Sequence, residues 1–422
     1  MAETEAGPTH GVEAGRREVD GGRPGVSAAA PGRAAAFVGA VLGATSVAQT
    51  SAPAAAQQVV ELPAEDRALA ADFEEVFRIG SLEGEAWETF GEIAGTAFDA
   101  AGNLYVFDRQ AGRITMVDRT GRFMRTIGGP GDGPGELRMP FAFDAMRDGR
   151  IVVSDLGHRA YQLFGPDGGF ERMIGMGSDG AGVLRLGDIA VVPGQEAVVT
   201  GAGGGAIAIR SAGGPGTPPP TRPIERLSLD GGDVTATTLA EGWRPPPGEP
   251  QTMEGGGSAV QMAAAPRTFE PDLLFDALPG GGVAFADTST WTVRVTGPDG
   301  TVERVLRRPF RPVPVTERMQ AAERERRLAD LEAGRGPRLR MMTSGGGWGS
   351  VAQGAVDEMM RGRIEQMQFY PELPVLMALE TSWGGRIWAQ RRGASPMEPG
   401  AIDVVTADGR YVGTFPLGST EM

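Results

Sequence analysis

Residues 102–128 of the chain read GNLYVFDRQAGRITMVDRTGRFMRTIG and residues 149–175 read GRIVVSDLGHRAYQLFGPDGGFERMIG, with first and last glycines each displaced by 47 positions. A chain that repeats a unit of this size must solve the burial of that unit's two faces once and then reuse the solution, so the period constrains the fold more than any composition figure. A third copy occupies residues 282–308, and a fourth, with a longer central loop, residues 385–417. Each copy runs from a glycine turn through a β-rich stretch ending in a polar residue, a short loop, a second β-rich stretch, a D-G or T-G turn and a third stretch, which is the grammar of a β-meander. One further apolar run precedes each copy, at residues 96–99, 141–144, 273–277 and 375–379, so that each unit has four strands. Residues 188–239 form a degenerate fifth unit, keeping IAVVPGQEAVVTGA and IERLSLDGGDVTATTL around a loop at 203–223.

A lone four-stranded meander leaves both apolar faces in water. It becomes stable when packed between similar sheets, and radial closure does this while leaving few exposed edges. The expected fold is therefore all-β, a β-propeller of four-stranded blades. The 66 glycines and 32 prolines follow no G-X-Y period and belong to its turns and loops.

Residues 128–170, GGPGDGPGELRMPFAFDAMRDGRIVVSDLGHRAYQLFGPDGGF, resemble an NHL-type blade in their Gly-rich entry, D-G turn, I-V-V-x-D strand and final D-G turn. The resemblance covers roughly residues 73–417 and implies the six-bladed propellers of the bacterial envelope. Five units are visible, so a sixth blade is missing or the ring closes otherwise. Residues 73–79, FEEVFRI, are the expected closing strand. Residues 316–331 and 350–367 depart from the β grammar. Ser350 and Gln353 have capping-box spacing, and Val356, Met359, Met360, Ile364 and Met367 recur at helical intervals, so a helical hairpin is expected at about residues 314–369. The Met stripe is read as packing on the propeller. The Gly/Pro/Ala-rich stretches 203–223 and 242–266 read as loops.

Residues 1–56 read as a leader and 57–422 as the propeller domain. After Arg33, the segment AAAFVGAVLGATSVA (34–48) has the length of a signal-peptide h-region and is too short to span a bilayer; small-x-small cleavage patterns end at Ala48 and Ala56. The polar stretch before it is long for such a signal, and initiation at Val26 would give a compact one. The expected location is the periplasm or the exterior, with no transmembrane segment in the mature chain. A formal charge of −14 disfavours nucleic acid and anionic membranes as partners, and the absence of cysteine excludes disulfides, thiolate nucleophiles and thiolate metal sites.

No catalytic constellation and no cofactor motif emerge. Asp108, Asp155 and Asp287 stand at equivalent places in three blades. Short Asp side chains at strand ends bond nearby backbone N–H groups, and repetition from blade to blade suits that role; a carboxylate ring holding a divalent cation is the weaker alternative, interrupted by Gln390 in the fourth copy. With only His10 and His158 in the chain, a His-rich zinc site cannot be assembled, and no G-x-S-x-G elbow accompanies His158. The glycine-rich stretch 128–135 lacks the G-K-S/T of a P-loop. Asn103, the only asparagine, occupies a turn, which weighs against a metal-dependent hydrolase or lactonase of propeller type. The favoured reading is an exported binding or scaffolding module for a protein or carbohydrate ligand. Arg109, His158, Arg159, Trp291 and Arg391, in or beside the loops after the second strands, are its candidate contacts.

Overall fold

The computed structural model describes residues 57–177, 187–201, 220–248, 251–255, 258–262, 266–336, 340–342, 348–350 and 352–416. The expectations for the leader, residues 1–56, lie outside the described residues. Five antiparallel sheets form the blades. Blade 1 consists of Ile93–Phe98, Leu104–Asp108, Arg113–Val117 and Phe123–Gly128, and blade 2 of Pro140–Ala145, Ile151–Asp155, Ala160–Phe164 and Phe170–Gly175. Blade 3, the degenerate unit, consists of Ile189–Val191, Ala197–Gly201, Thr221–Ser228 and Thr235–Trp243. Blade 4 is built from Leu274–Ala277, Val283–Ala286, Thr292–Thr296 and Val302–Arg307, and blade 5 from Leu376–Thr381, Arg386–Arg392, Pro399–Thr406 and Tyr411–Phe415.

The second and third strands of blade 2, IVVSD and AYQLF, are buried at every residue, as a sheet covered on both faces requires. Buried hydrophobic clusters fill the seams between blades 1 and 2, 2 and 3, 3 and 4, and 4 and 5. The blades approach closely enough that the turn glycine Gly300, at φ +84°, would place a Cβ 2.7 Å from the Leu239 carbonyl oxygen of blade 3. Polar contacts add to the seams. The buried Arg222 of blade 3 donates to the Pro271 carbonyl at 3.0 Å and to the Asp287 carbonyl at 3.4 Å on the blade 4 side.

The resemblance implies six blades, and the described residues form five. The chain between blades 4 and 5, long enough for another blade, is Arg- and Glu-rich and folds instead around two helices, α1 (Glu317–Glu332) and α2 (Gln353–Glu365). The Thr316 hydroxyl accepts a hydrogen bond from the Met319 amide at 3.3 Å and caps α1. The expected capping box at α2 does not form. Ser350 sits in a two-stranded ladder opposite Arg340, and α2 starts after Ala352 with no side-chain cap. The helices pack on each other with Val356, Ile364 and Leu331 buried. The stretch 242–266, expected as plain loop, contains a hairpin, Gln251–Gly255 with Ser258–Met262.

The expected closing strand is also corrected. Residues 73–79 form no strand; the strand that the N-terminus contributes is Gln58–Glu61, which adds to blade 4 in parallel, with Val60 opposite Leu306. The chain then runs past blade 5, where Ala68 bridges Thr414 and Phe73 meets Phe415 with ring centroids 5.4 Å apart. It reaches blade 1 at Phe77, which lies against Gly121, and again at Trp87, which stacks on Phe123 at 5.0 Å. Residues 62–92 thus strap blades 4, 5 and 1 together, with few strand contacts because the charges in DFEEVFRI spoil a two-sided apolar strand.

Arg308 fastens this strap. Its side chain is fully buried, pairs with the equally buried Asp403 at 2.7 Å, and donates to the Pro63 and Glu65 carbonyls at 2.9 and 3.2 Å. Asp403 also accepts from the Trp291 indole at 2.7 Å and from the Thr414 hydroxyl at 2.6 Å. Removing one member of a buried pair leaves the other charged and unpaired. Arg308→Ala is therefore expected to lower unfolding stability by about 3–5 kcal/mol in denaturant titrations, and a loss under about 1 kcal/mol would show the network to be dispensable.

Candidate functional site

An antiparallel meander sends the start of each inner strand, the turn after each second strand and the exit of each outer strand to one end of the propeller. The long insertions therefore share that end, and the other carries short turns. Between the ends the five inner strands enclose a channel of about 710 Å³. Its wall mixes Phe98, Phe141, Phe275 and Met377 with four carboxylates: Asp144, Asp188, Asp276 and Glu380.

Three of these carboxylates occupy one ring. Ladder register puts Asp144 opposite Val152, Asp276 opposite Ala284 and Glu380 opposite Trp388, the same place in blades 2, 4 and 5, where blades 1 and 3 have Ala97 and Val191. Asp144 accepts from the Val191 amide at 2.6 Å and from its neighbour Ala145 at 2.7 Å, while Asp276 receives the Thr381 and Ala277 amides. These bonds hold each acid across a seam, blade 2 to blade 3 and blade 4 to blade 5. Glu380 has no hydrogen-bond or ion-pair partner among the described residues.

Asp144 and Asp276 are half-buried and the Glu380 side chain is open to the channel, yet protein surrounds all three and few counter-charges are near. Burial pushes Asp144 up to about 7, with Asp276 adding a smaller repulsion against the two amide bonds. Burial likewise lifts Asp276 to about 6. Glu380 is pushed to about 7 by burial and then by the charges of Asp276, Asp144 and Asp188. At the short-turn end, the Arg147 guanidinium of blade 2 lies 4.7 Å over the Trp383 ring of blade 5, a cation–π contact beside the mouth. The channel thus presents apolar side walls and carboxylates whose charge changes near neutral pH.

The candidate contacts from the sequence are not gathered together. Arg109 pairs with Glu92 at the rim of blade 1. His158 bonds Asp155 at 2.8 Å and the Asp132 carbonyl at 3.2 Å, and Arg159 takes φ +54° in the same turn. Trp291 lies wholly inside the seam of blades 4 and 5, and Arg391 is held by Asp66 at 2.6 Å over the Phe310 ring, so neither is free to meet a ligand. The repeated aspartates are fully or nearly buried and bonded to backbone. Asp108 takes the Gly91, Glu92 and Ala111 amides, Asp155 the Arg138, Met139 and Gly157 amides, and Asp287 the Trp243 amide together with Arg294. Burial alone would raise Asp155, but bonds from His158, Arg138 and Met139 outweigh it and hold the carboxyl below its usual range. Among the described residues no three His, Asp or Glu side chains are gathered to hold a metal ion. The signal for the channel acids was present as A-F-D-A at 142–145 and L-F-D-A at 274–277, one strand earlier than the aspartates singled out.

No protein-family model and no curated protein matches the chain. Among solved structures the chain is similar to a protein assigned as exported from Bacteroides fragilis, at 10% identity over 86% of this chain and 81% of that one, with TM-score 0.41. Virginiamycin B lyase from Staphylococcus aureus is similar at 11% identity over 80% and 72%, TM-score 0.34. A nidogen/laminin complex is similar at 14% identity over 77% and 80%, TM-score 0.36. Likeness at this level carries no activity across, and the propeller assignment rests on the five sheets themselves.

A carboxyl held above its ordinary value favours the protonated folded state. Its stabilising effect is present below about 4.5 and lost as pH rises through about 7. Glu380→Gln should therefore raise the melting temperature at pH 8 by roughly 1–2 °C, an effect kept small by channel water, and leave it unchanged at pH 4.5. A variant less stable at pH 8 would mean that Glu380 makes a favourable contact.

Proposed function

We propose that the chain is an exported binding propeller whose central channel takes a small ligand bearing a protonated nitrogen and an apolar body. Export is supported by the h-region at residues 34–48, and NHL-type blades by residues 128–170. Among the described residues no helix is long and apolar enough to cross a membrane.

One observation carries the reading of the ligand: a channel of about 710 Å³, within the size range of small-molecule sites, places the unpartnered Glu380 beside Asp276 and Asp144. A cation entering there restores the counter-charge that the folded protein does not supply and draws the carboxyls into their charged forms. Phe98, Phe141, Phe275 and Met377 supply the wall for an apolar body. The acids lie on the inner strands of the blades, and the assembly binds and orients.

Arylalkyl amines of increasing length, each paired with its neutral alcohol, test this by calorimetry. The amine should bind tighter than the alcohol, and tighter at pH 8 than at pH 5.5, since the carboxylates must be charged to receive it. Asp276→Asn/Glu380→Gln should remove both preferences, with folding checked by circular dichroism. Equal binding of amine and alcohol, or a preference that survives in the variant, would contradict the proposal.

A further inference from the structure

We propose that the strap itself, residues 62–92, is a docking surface for a protein segment that is basic and amphipathic. The strap is fixed at intervals and bare between them. Leu62 is buried, Phe73 meets Phe415, Phe77 lies against Gly121, where a Cβ would come within 2.6 Å of its ring, and Trp87 stacks on Phe123. Between these anchors Val76 is 75% exposed and Leu82 is 92% exposed, and Phe73 still shows 60% of its surface. On blade 1, Met124, next to the Phe123 on which Trp87 stacks, is 41% exposed as well. Large exposed side chains thus concentrate on one element and the blade beneath it, where a solvated surface segment would carry polar residues.

Charge selects the partner. Residues 62–92 hold nine carboxylates against two arginines, a net charge of −7, which is half of the −14 of the whole chain. Some of these acids are already engaged: Asp66 with Arg308 and Arg391, Glu75 with Arg78, and Glu92 with Arg109. Asp72, Glu74, Glu83 and Glu85 have no cationic partner among the described residues; Asp72 and Glu74 flank Phe73 in sequence, Glu74 lies two residues before Val76, and Glu83 follows Leu82. A surface of alternating bare apolar groups and uncompensated carboxylates complements a segment with Leu-like residues on one face and Arg or Lys on the other. A second copy of this acidic chain is repelled, as are nucleic acid and anionic lipid. The strap is distinct from the channel, so this surface stands whether or not the channel binds an amine.

The test uses a fluorescein-labelled 14-residue peptide with Arg on one helical face and Leu on the other, its sequence-scrambled form, and a Glu-for-Arg form, each titrated with the full chain and followed by anisotropy. The amphipathic peptide should bind at least tenfold tighter than the scrambled one and weaken about tenfold between 50 and 500 mM NaCl, while the Glu form should not bind. Val76→Ser/Leu82→Ser, and separately Glu74→Gln/Glu83→Gln, should each weaken binding tenfold with the melting temperature unchanged, and Met397→Ser, at an exposed site on blade 5, should leave it intact. Equal binding of the scrambled peptide, unchanged binding in both strap variants, or a self-association of the chain that Val76→Ser/Leu82→Ser abolishes would overturn the proposal.

Discussion

The ion pair between Arg308 and Asp403 anchors the strap that joins the last blade of this propeller to the first. Both side chains are fully out of water, so the pair carries a large desolvation cost and is tolerable only because almost every donor and acceptor is met. Asp403 holds blade 5 to Trp291 of blade 4 and to Thr414 of its own outer strand. Arg308 lies between the Phe310 and Tyr411 rings, 4.7 and 4.6 Å away, and reaches the carbonyls of the strap. A single guanidinium, planar and with its donors fanned outward, thereby joins two blades and the N-terminal segment. The strap then has a defined starting point from which to run past blade 5 to blade 1.

The architecture follows from that fastening together with the repeat. Four seams are held by buried apolar clusters that any two blades of this pattern can make. The strap joins the last blade to the first and covers part of three outer edges that would otherwise offer free backbone groups. Long insertions collect at one end because the meander has only two places for outer-to-inner crossings and second-strand turns, and both lie there. The channel behind them is walled by the inner strands that the seams pack together.

Much of this was legible in the residues, for identifiable reasons. The displacement of 47 between two glycine-bounded copies exposed the blades, and the turn chemistry marked the strands to within a residue or two: residues 141–144 and 273–277 lie in or against Pro140–Ala145 and Leu274–Ala277. The blade count did not follow the resemblance, since residues 308–375 are long enough for a sixth meander and the described residues among them form two helices and short two-stranded ladders instead. The closing strand was misplaced because FEEVFRI has β-forming residues but breaks period-2 alternation with the adjacent Glu74 and Glu75, whereas QVVE, short and unremarked, matches the edge of blade 4. The channel acids escaped because period-2 patterning does not distinguish the face toward a neighbouring blade from the face toward the axis. Asp99 also mimics them in sequence, in T-A-F-D-A, yet the ladder sets Phe98 opposite Leu104, and Asp99 drops into the turn, where it takes the Ala101 and Asn103 amides.

Structure and proposed function meet in the three inner-strand carboxylates. Two are held by amides across seams, Asp144 between blades 2 and 3 and Asp276 between blades 4 and 5, the seam that Arg308 also secures; the third, Glu380, has no partner among the described residues and opens to the channel. The most direct measurement is a carbon-13 carboxyl titration that follows Asp144, Asp276 and Glu380 by NMR, with and without a saturating arylalkyl amine. The account predicts midpoints near neutral pH in the free protein, about 7 for Asp144 and Glu380 and about 6 for Asp276, and a downward shift of at least Asp276 and Glu380 when the amine is bound. Midpoints in the ordinary carboxylate range, or midpoints indifferent to the amine, would contradict it.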